Sequence, residues 1–509
     1  MNLTMLLDMA VNGFGGRVVI GRRVVGYTAV HLRGLSMGGA SIIRTAEASS
    51  LIYLAVNGPA FPAALFAAAR AGVPLTPINF RLGTEQLQRL LDKHPRAIAI
   101  ADPRTRPLLQ AAGMTSYAPD EWIAESRTRA GVEVSEASTD APAVFIYTSG
   151  ATSEPKGVIL RHHNLVSYVL GSVEFAGAGQ DEASLVSVPP YHIAAVANAI
   201  TNLYAGRRCI VLEQFSGGEW LDLVRAEEVT HALVVPTMLA RIMAAPGDHS
   251  VPSLRSLAYG GASMPQRVIE EALDTWPHVD FVHAYGLTET SSTISVLGPE
   301  DHRAAVAGSN QIARSRLRSA GLPVSGVTLE IRGDDGACVP PGGTGRIWVR
   351  GEQVSGEYMG IGSALDEQGF FDTHDEGHID TDGYLFIGGR ADDTIIRGGE
   401  NIAPAEIEEV LLAHAKIDDA VVVGVPDPEW GQHLEAAVVA KPGSTLDPSE
   451  IREFVRERLR SSKTPDRIVV WAELPRTETG KLVRRQVLAQ IQATQQSSPP
   501  GAEDGAAVQ

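Results

Sequence analysis

The sequence predicts an α/β protein built from more than one unit, and three observations carry that expectation. Its 509 residues exceed what one hydrophobic core serves and suit two or three subdomains. Short β-rich runs alternate with amphipathic helical stretches, the pattern of α/β layers. From Gly345 the texture changes to strands punctuated by Gly and Asp turns, and beyond Asp392 a separate small α/β unit begins.

The first stretch, residues 1–16, has no basic n-region, and Asp8 interrupts its apolar run, so it does not read as a signal peptide. The most apolar later stretch, residues 51–75, contains Asn57, Gly58, Pro59 and Arg70. A spanning helix needs roughly 20 unbroken apolar residues, so buried strand and helix are expected there, with peripheral membrane contact left open. Residues 143–147 read as a buried strand entering a loop of Thr, Ser and Gly, and 158–160 as a second strand. Asn164 is expected to cap a helix through Leu170, with His162 and His163 as its solvated start. Strands are expected over 232–235 and 257–259, and over 281–285 running into Gly286. Further strands are expected over 346–350, 384–387 and 394–396. In the last unit, helix 404–414 starts with proline in its first turn, where the missing N–H costs nothing. Strands 420–425 and 434–440 follow, then helix 448–459 with Asp447 as N-cap and Glu450 completing a capping box.

Composition narrows the chemistry. The hydrophobic fraction of 44 % and charged fraction of 20 % are those of a globular protein. Two cysteines, Cys209 and Cys338, have no ligand-like spacing, which excludes a disulfide framework and a cysteine metal site and fits a reducing cytoplasm. A net charge of −17 argues against nucleic acid as a partner, while an anionic small ligand can still be met by a loop with its own donors. Nothing in the sequence sets the oligomeric state.

One segment carries more chemistry than the rest: Tyr147-Thr148-Ser149-Gly150-Ala151-Thr152-Ser153-Glu154-Pro155-Lys156-Gly157-Val158. Small residues let the backbone approach an oligophosphate, hydroxyls donate hydrogen bonds, and the lysine supplies a cation. It is not a Walker A loop, because Lys156 precedes Gly157 instead of following a glycine and preceding Ser or Thr. Taken alone, its composition is equally that of a solvent loop. His374 and His378, four apart, are flanked by acids and Gly377 and read as a turn and not a zinc helix. Asp380 to Gly383 likewise reads as a turn, since a calcium loop would place glutamate where Ala391 stands.

In company with later blocks, the segment resembles the phosphate loop of the adenylate-forming superfamily, which includes acyl- and aryl-CoA synthetases, peptide-synthetase adenylation domains and firefly luciferase. Ala151 and Ser153 depart from that loop by one hydroxyl and one glycine. The resemblance spans residues 72–485, with its blocks in order. It implies phosphate contacts from Thr148, Ser149, Gly150, Thr152 and Lys156. Pro189 to Ile193 is similar to the block bordering the acyl pocket, with His192 near the carboxylate. Gly260, Gly261 and Ala262 match the loop between adenine and acyl group. In Tyr285-Gly286-Leu287-Thr288-Glu289 the tyrosine is implied to stack on adenine and Glu289 to hold Mg2+. Gly345 to Gly351 resembles a structural strand. Asp375 matches the ribose-binding aspartate, although His374 replaces the glycine before it, and Arg390 matches the ribose-binding arginine. Asp392 is the implied hinge, Gly398 and Gly399 the coenzyme-A-side loop, and Lys481, after Thr479-Gly480, the adenylation lysine.

The resemblance implies a large N-terminal multi-sheet domain (1–391) for ATP and acyl group. A small mobile C-terminal α+β domain (392–493) follows, with a tail (494–509) of disorder-prone composition. The implied activity is ATP-dependent acyl-CoA synthesis with Mg2+ and coenzyme A, through an acyl-adenylate. Two anions repel when a carboxylate attacks the α-phosphate, so Mg2+, loop donors and lysine must offset that charge. Ala194 to Ala197 lack the aspartate that amino-acid adenylation domains generally place there, favouring a plain carboxylic acid. A medium- or long-chain fatty acid is expected. An aryl or cyclic acid, a carrier-protein acceptor and a nucleotide-binding pseudoenzyme are the other readings.

Overall fold

The apolar run of residues 51–75 folds as strand, helix and strand. Ser50–Leu54 is buried at every position, as a strand covered on both faces must be, and runs parallel to Leu75–Pro77 and Ala97–Ala101. The intervening helix Ala60–Ala71 ends at Gly72, whose φ of +75° is the left-handed C-cap that a side chain would oppose. A computed structural model describes residues 1–129, 138–148, 155–307, 311–390, 393–397, 400–428, 430–459, 461–477, 480 and 482–496.

The chain divides into two units. The first comprises Met1–Gly343, Ile347–Thr373 and Ile379–Phe386. An eight-stranded sheet in it runs, edge to edge, Gly362–Ser363, Glu357–Tyr358, Lys156–Arg161, Pro142–Thr148, Leu75–Pro77, Ser50–Leu54, Ala97–Ala101 and Ser116–Tyr117. A nine-stranded sheet runs Leu322–Pro323, Ser292–Leu297, Asp280–Leu287, Ser256–Gly260, His231–Val234, Ala183–Val186, Arg208–Val211, Val18–Ile20 and Tyr27–Thr28. Its five strands from Asp280–Leu287 to Arg208–Val211 are mutually parallel, so their carboxyl ends share one edge. One core, including Leu6, Phe66, Trp122, Val144, Leu185, Trp220 and Tyr259, joins both sheets and their helices. A third sheet has the order Thr328–Arg332, Gly345–Arg350, Phe371–Ile379, Leu385–Arg390.

The second unit comprises Thr344–Arg346, His374–His378 and Ile387 onward. Strands Ile417–Asp427, Gly431–Ala440 and Arg467–Trp471 form its sheet. Alternation along the first of these sends Ala420 and Val422 into one apolar cluster with Ile407 and Ile451, and Val421 and Val423 into another with Leu474, Val487 and Ile491. Helices Pro404–Leu412, Pro448–Arg456 and Arg484–Gln496 cover it, the last taking in residues 494–496 of the segment expected to be disordered.

Local details depart from expectation for identifiable reasons. Asn164 sits inside helix His162–Ser172, where its Oδ1 accepts from the Arg161 N–H at 3.0 Å and its Nδ2 donates to the Glu352 carbonyl. His162 is 1 % exposed, not solvated, because its Nδ1 accepts the Leu3 N–H at the start of the buried helix Leu3–Phe14. Asp447 caps through Ser449 N–H, but Glu450 turns to Lys416 at 3.0 Å instead of closing a capping box. Residues 374–378 lie within a strand and not a turn. The strand expected to stop before Gly286 continues to Leu287, with a register shift at Tyr285/Gly286. No helix among the described residues is long and apolar enough to cross a membrane.

Candidate active site

The phosphate-loop segment grows out of an antiparallel hairpin. Pro142–Thr148 and Lys156–Arg161 pair in a register that sets Tyr147 opposite Gly157 and Thr148 opposite Lys156. Val144, Ile146, Val158 and Leu160 anchor it in the core. Thr148 and Lys156 are therefore the last paired residues of the hairpin. Ser149, Gly150 and Thr152, with Ala151 and Ser153, lie outside the described residues. Below the hairpin end, Tyr147 Oη shares a 2.9 Å hydrogen bond with buried His94 Nε2. Burial, helped by Lys93, lowers the His94 pKa to about 4, and burial raises that of Tyr147 to about 12, so both groups are neutral at pH 7. A Cβ on Gly157 would lie 2.6 Å from Met359 Sδ, and the Gly157 carbonyl accepts the Met359 N–H at 2.8 Å.

The parallel sheet supplies the second group. The loop after Ala183–Val186 ends at His192, which is the N-cap residue of helix Ile193–Ala205 and packs its ring against Tyr191 at 4.7 Å between centroids. Gly260 ends the next-but-one strand, Gly261 follows at φ +83°, and Ala262 leads away from it. Tyr285 and Gly286 lie near the end of Asp280–Leu287, with Thr288 and Glu289 in a single 3-10 turn just beyond. Open α/β sheets bind ligands outside the carboxyl ends of their strands, and His192, Gly260–Ala262 and Tyr285–Glu289 all stand there. A Cβ on Gly260 would meet the Ala284 carbonyl oxygen, and one on Gly286 the Ser292 carbonyl oxygen, so the strand ends are close-packed backbone to backbone. Beneath them buried Tyr259 stacks on His283 at 4.9 Å and shares a 2.9 Å hydrogen bond with His302 Nε2. Burial lowers the His302 pKa to about 4 and that of His283 in the same direction.

Glu289 is 8 % exposed, and Tyr358 Oη donates to its Oε1 at 3.0 Å. Its carbonyl accepts the N–H groups of Ser355 and Gly356. The Lys156 ammonium is 5.6 Å from the centre of the same Tyr358 ring, so this tyrosine connects the hairpin end to the carboxylate. Tyr358 was not singled out in the sequence. Its strand pairs with Val158, and no local signal announces that contact. Among the described residues no three His, Cys, Asp or Glu side chains converge on a metal position. A single held carboxylate fits Mg2+, which characteristically binds one or two carboxylates together with substrate phosphates.

Asp375 and Arg390 belong to the second unit and are paired, Nε to Oδ1, at 3.1 Å, with Asp375 only 7 % exposed. His374 has φ +58°, a conformation in which glycine is unstrained and histidine is tolerated, which accounts for the glycine that the resembling block carries here. Asp392, Gly398, Gly399, Thr479 and Lys481 lie outside the described residues.

Comparison with known proteins agrees with this geometry. Residues 46–359 match the model of the AMP-binding enzyme family, and residues 406–481 that of the AMP-binding enzyme C-terminal domain. The chain is 32 % identical to the fatty acid–[acyl-carrier-protein] ligase ScoC of Streptomyces coeruleorubidus, over 87 % of this chain and 86 % of that protein. It is 33 % identical to the indoleacetate–CoA ligase of Aromatoleum aromaticum, over 88 % and 89 %. The structure of o-succinylbenzoate CoA synthetase from Bacillus subtilis with the acyl-adenylate intermediate OSB-AMP superposes with a TM-score of 0.83 at 27 % identity, covering 95 % of this chain and 97 % of that one. The same synthetase with ATP and magnesium ion gives 0.82 at 26 % identity, covering 94 % and 98 %. The chain therefore belongs to the AMP-binding enzyme family, the adenylate-forming acid–thiol ligases that use ATP, Mg2+ and a thiol acceptor such as coenzyme A.

Proposed function

We propose that the protein is an ATP-dependent acyl-CoA synthetase acting on a hydrophobic carboxylic acid, a medium- or long-chain fatty acid foremost. The observation that carries the reading is the common sheet edge at which His192, Gly260–Ala262 and Tyr285–Glu289 stand, with Tyr358 linking Glu289 to Lys156. At that edge Tyr285 supplies an aromatic face for adenine, and the Gly260–Gly261 backbone leaves room between nucleotide and acyl group. Thr148 and Lys156, with Ser149, Gly150 and Thr152, hold the phosphates. Glu289 would hold Mg2+, which supplies charge neutralisation on the phosphate oxygens. Asp375, oriented by Arg390, accepts from the ribose hydroxyls. Lys481 meets the charge that develops as the acid's carboxylate attacks the α-phosphate and pyrophosphate leaves. A domain rotation at Asp392 then withdraws the lysine and brings Gly398–Gly399 to the thiol, which attacks the acyl carbonyl and releases AMP. The N-terminal domain is proposed to end at 391 and the mobile domain to span 392–493.

Helix Ile193–Ala205 supports an apolar acid: Ile193, Ala194 and Ala199 are half-buried at the edge of the core, small or aliphatic, and uncharged, while Ala195, Val196 and Ala197 lie within it. An aryl acid is the second reading, favoured by the indoleacetate–CoA ligase at 33 % identity beside 32 % for the fatty-acid relative. Free thiols at Cys209 and Cys338 support a cytoplasmic setting. The test is release of AMP and pyrophosphate from Mg-ATP with aliphatic, aryl and cyclic acids, each with and without coenzyme A. Turnover that yields a thioester only with coenzyme A is the expected outcome. An adenylate that accumulates despite coenzyme A points to a carrier-protein acceptor, and ATP binding without turnover on any acid refutes the synthetase.

A further inference from the structure

The backbone just beyond Glu289 is strained. Ser291 and Ser292, which follow the 3-10 turn Thr288–Thr290, have φ of +57° and +113°, a region that favours glycine. Such backbone persists only where its surroundings over-determine it. Thr290 and Ser291 are fully buried, and Thr290 Oγ1 ties the turn to itself, accepting the Leu287 N–H at 3.0 Å and donating to the Ser292 carbonyl at 2.7 Å.

The hold from outside comes from one side chain, 63 positions along the chain. Gln353, 4 % exposed, donates one amide hydrogen to the Thr290 carbonyl at 3.0 Å and the other to the Thr293 carbonyl at 2.8 Å. Its amide therefore spans the strained pair from one side to the other. Its backbone carbonyl accepts the Ser291 hydroxyl at 2.8 Å. The segment that follows holds Glu289 directly: the Ser355 and Gly356 N–H groups donate to its carbonyl at 2.8 and 3.2 Å, and Tyr358 Oη donates to its Oε1. That segment is itself anchored, because Ser355 Oγ donates to the Ile159 carbonyl and Val354 packs with Ile294, Val349 and Phe371. All of these residues belong to the first unit.

We propose that Gln353 is a positioning residue for the metal, holding through the strained turn the backbone from which Glu289 presents its carboxylate. The proposal rests on the reading of Glu289 as the Mg2+ ligand. Groups that orient a metal ligand are worth about 10–100-fold in metal affinity, and Gln353 acts one step further out, so the low end applies. Gln353→Met keeps the length of the side chain and removes both donors. With ATP present and no acid, Mn2+ affinity, read from the EPR signal of free Mn2+, should fall about tenfold. With acid supplied, the Mg2+ concentration for half-maximal pyrophosphate release should rise by the same factor, while KM for the acid stays unchanged. Ser291→Ala, which loses only the hydroxyl bond to the Gln353 carbonyl, should give a smaller loss of the same kind. It decides the matter if Gln353→Met does not fold by circular dichroism. Both titrations are repeated in a Glu289→Gln background. A loss in Gln353→Met that vanishes there supports the proposal. Wild-type Mn2+ affinity in the folded variant, or a loss of the same size in the Glu289→Gln background, overturns it and leaves Gln353 a structural residue. Wild-type Mn2+ affinity in Glu289→Gln alone overturns the reading of Glu289 itself and the proposal with it.

Discussion

Acid should destabilise the first unit through His162, by an amount that can be worked out. The ring is 1 % exposed and its Nδ1 accepts the Leu3 N–H, so the neutral form is the one the fold accommodates. Burial, with the neighbouring His163 charge, lowers the pKa from the ordinary 6.5 to about 4. Because the folded value is the lower one, the stability this favours is fully present above pH 6.5 and is lost as pH falls through 4. At pH 5 the unfolded chain is almost wholly protonated there and the folded chain hardly at all, a difference of about 2 kcal/mol. His162→Asn keeps an acceptor for the Leu3 amide and removes the titration. The assay is urea unfolding of both proteins at pH 7.5 and pH 5, followed by the buried Trp122, Trp220 and Trp276. All other titrating groups, buried His94 and His302 and half-buried His231 among them, are common to both chains and cancel. Wild type should lose about 2 kcal/mol more than the variant between the two pH values. Equal losses would refute the assignment of a neutral, hydrogen-bonded His162.

Three further outcomes are expected. Gly286→Ala places a Cβ on the Ser292 carbonyl oxygen, and overpacking of this kind costs about 1–3 kcal/mol, so melting temperature and ATP binding should fall together. Glu289→Gln should raise the Mg2+ concentration for half-maximal pyrophosphate release by about tenfold or more, while Tyr358→Phe, which removes only the 3.0 Å hydrogen bond, should raise it less; an unchanged Mg2+ requirement in Glu289→Gln would remove that residue from the metal site. Asp375→Asn should raise KM for ATP several-fold but leave KM for 2′,3′-dideoxy-ATP nearly unchanged, and an equal rise for both nucleotides would count against a ribose contact.

Much of the fold was legible because the pattern is local. The apolar run around 420–425, the proline at the start of helix Pro404–Leu412 and the Gly-bounded strands that end at Gly260 and pass through Gly286 each announce an element within a few residues. Glu289 and Asp375 were singled out for a different reason, the resemblance of short ordered blocks. What stayed hidden depends on residues far apart in the chain. Tyr358 meets Glu289 across 69 positions, and His162 meets Leu3 across 159, so neither contact leaves a mark in the neighbouring sequence. Glu450 shows the converse failure: the local capping signal was present, but its carboxylate pairs with Lys416, in the turn before strand Ile417–Asp427.

The second unit is not a continuous stretch of chain, since residues 344–346 and 374–378 group with the described residues from Ile387 onward. The strands that contain them, Gly345–Arg350 and Phe371–Ile379, are neighbours in the third sheet and are followed there by Leu385–Arg390, so their strand pairing is local in the sequence. Because the two pieces lie earlier in the chain, a fragment that begins at Asp392 starts without part of its own unit, and an exchange of C-terminal segments between relatives would leave those early pieces facing a partner they were not selected with.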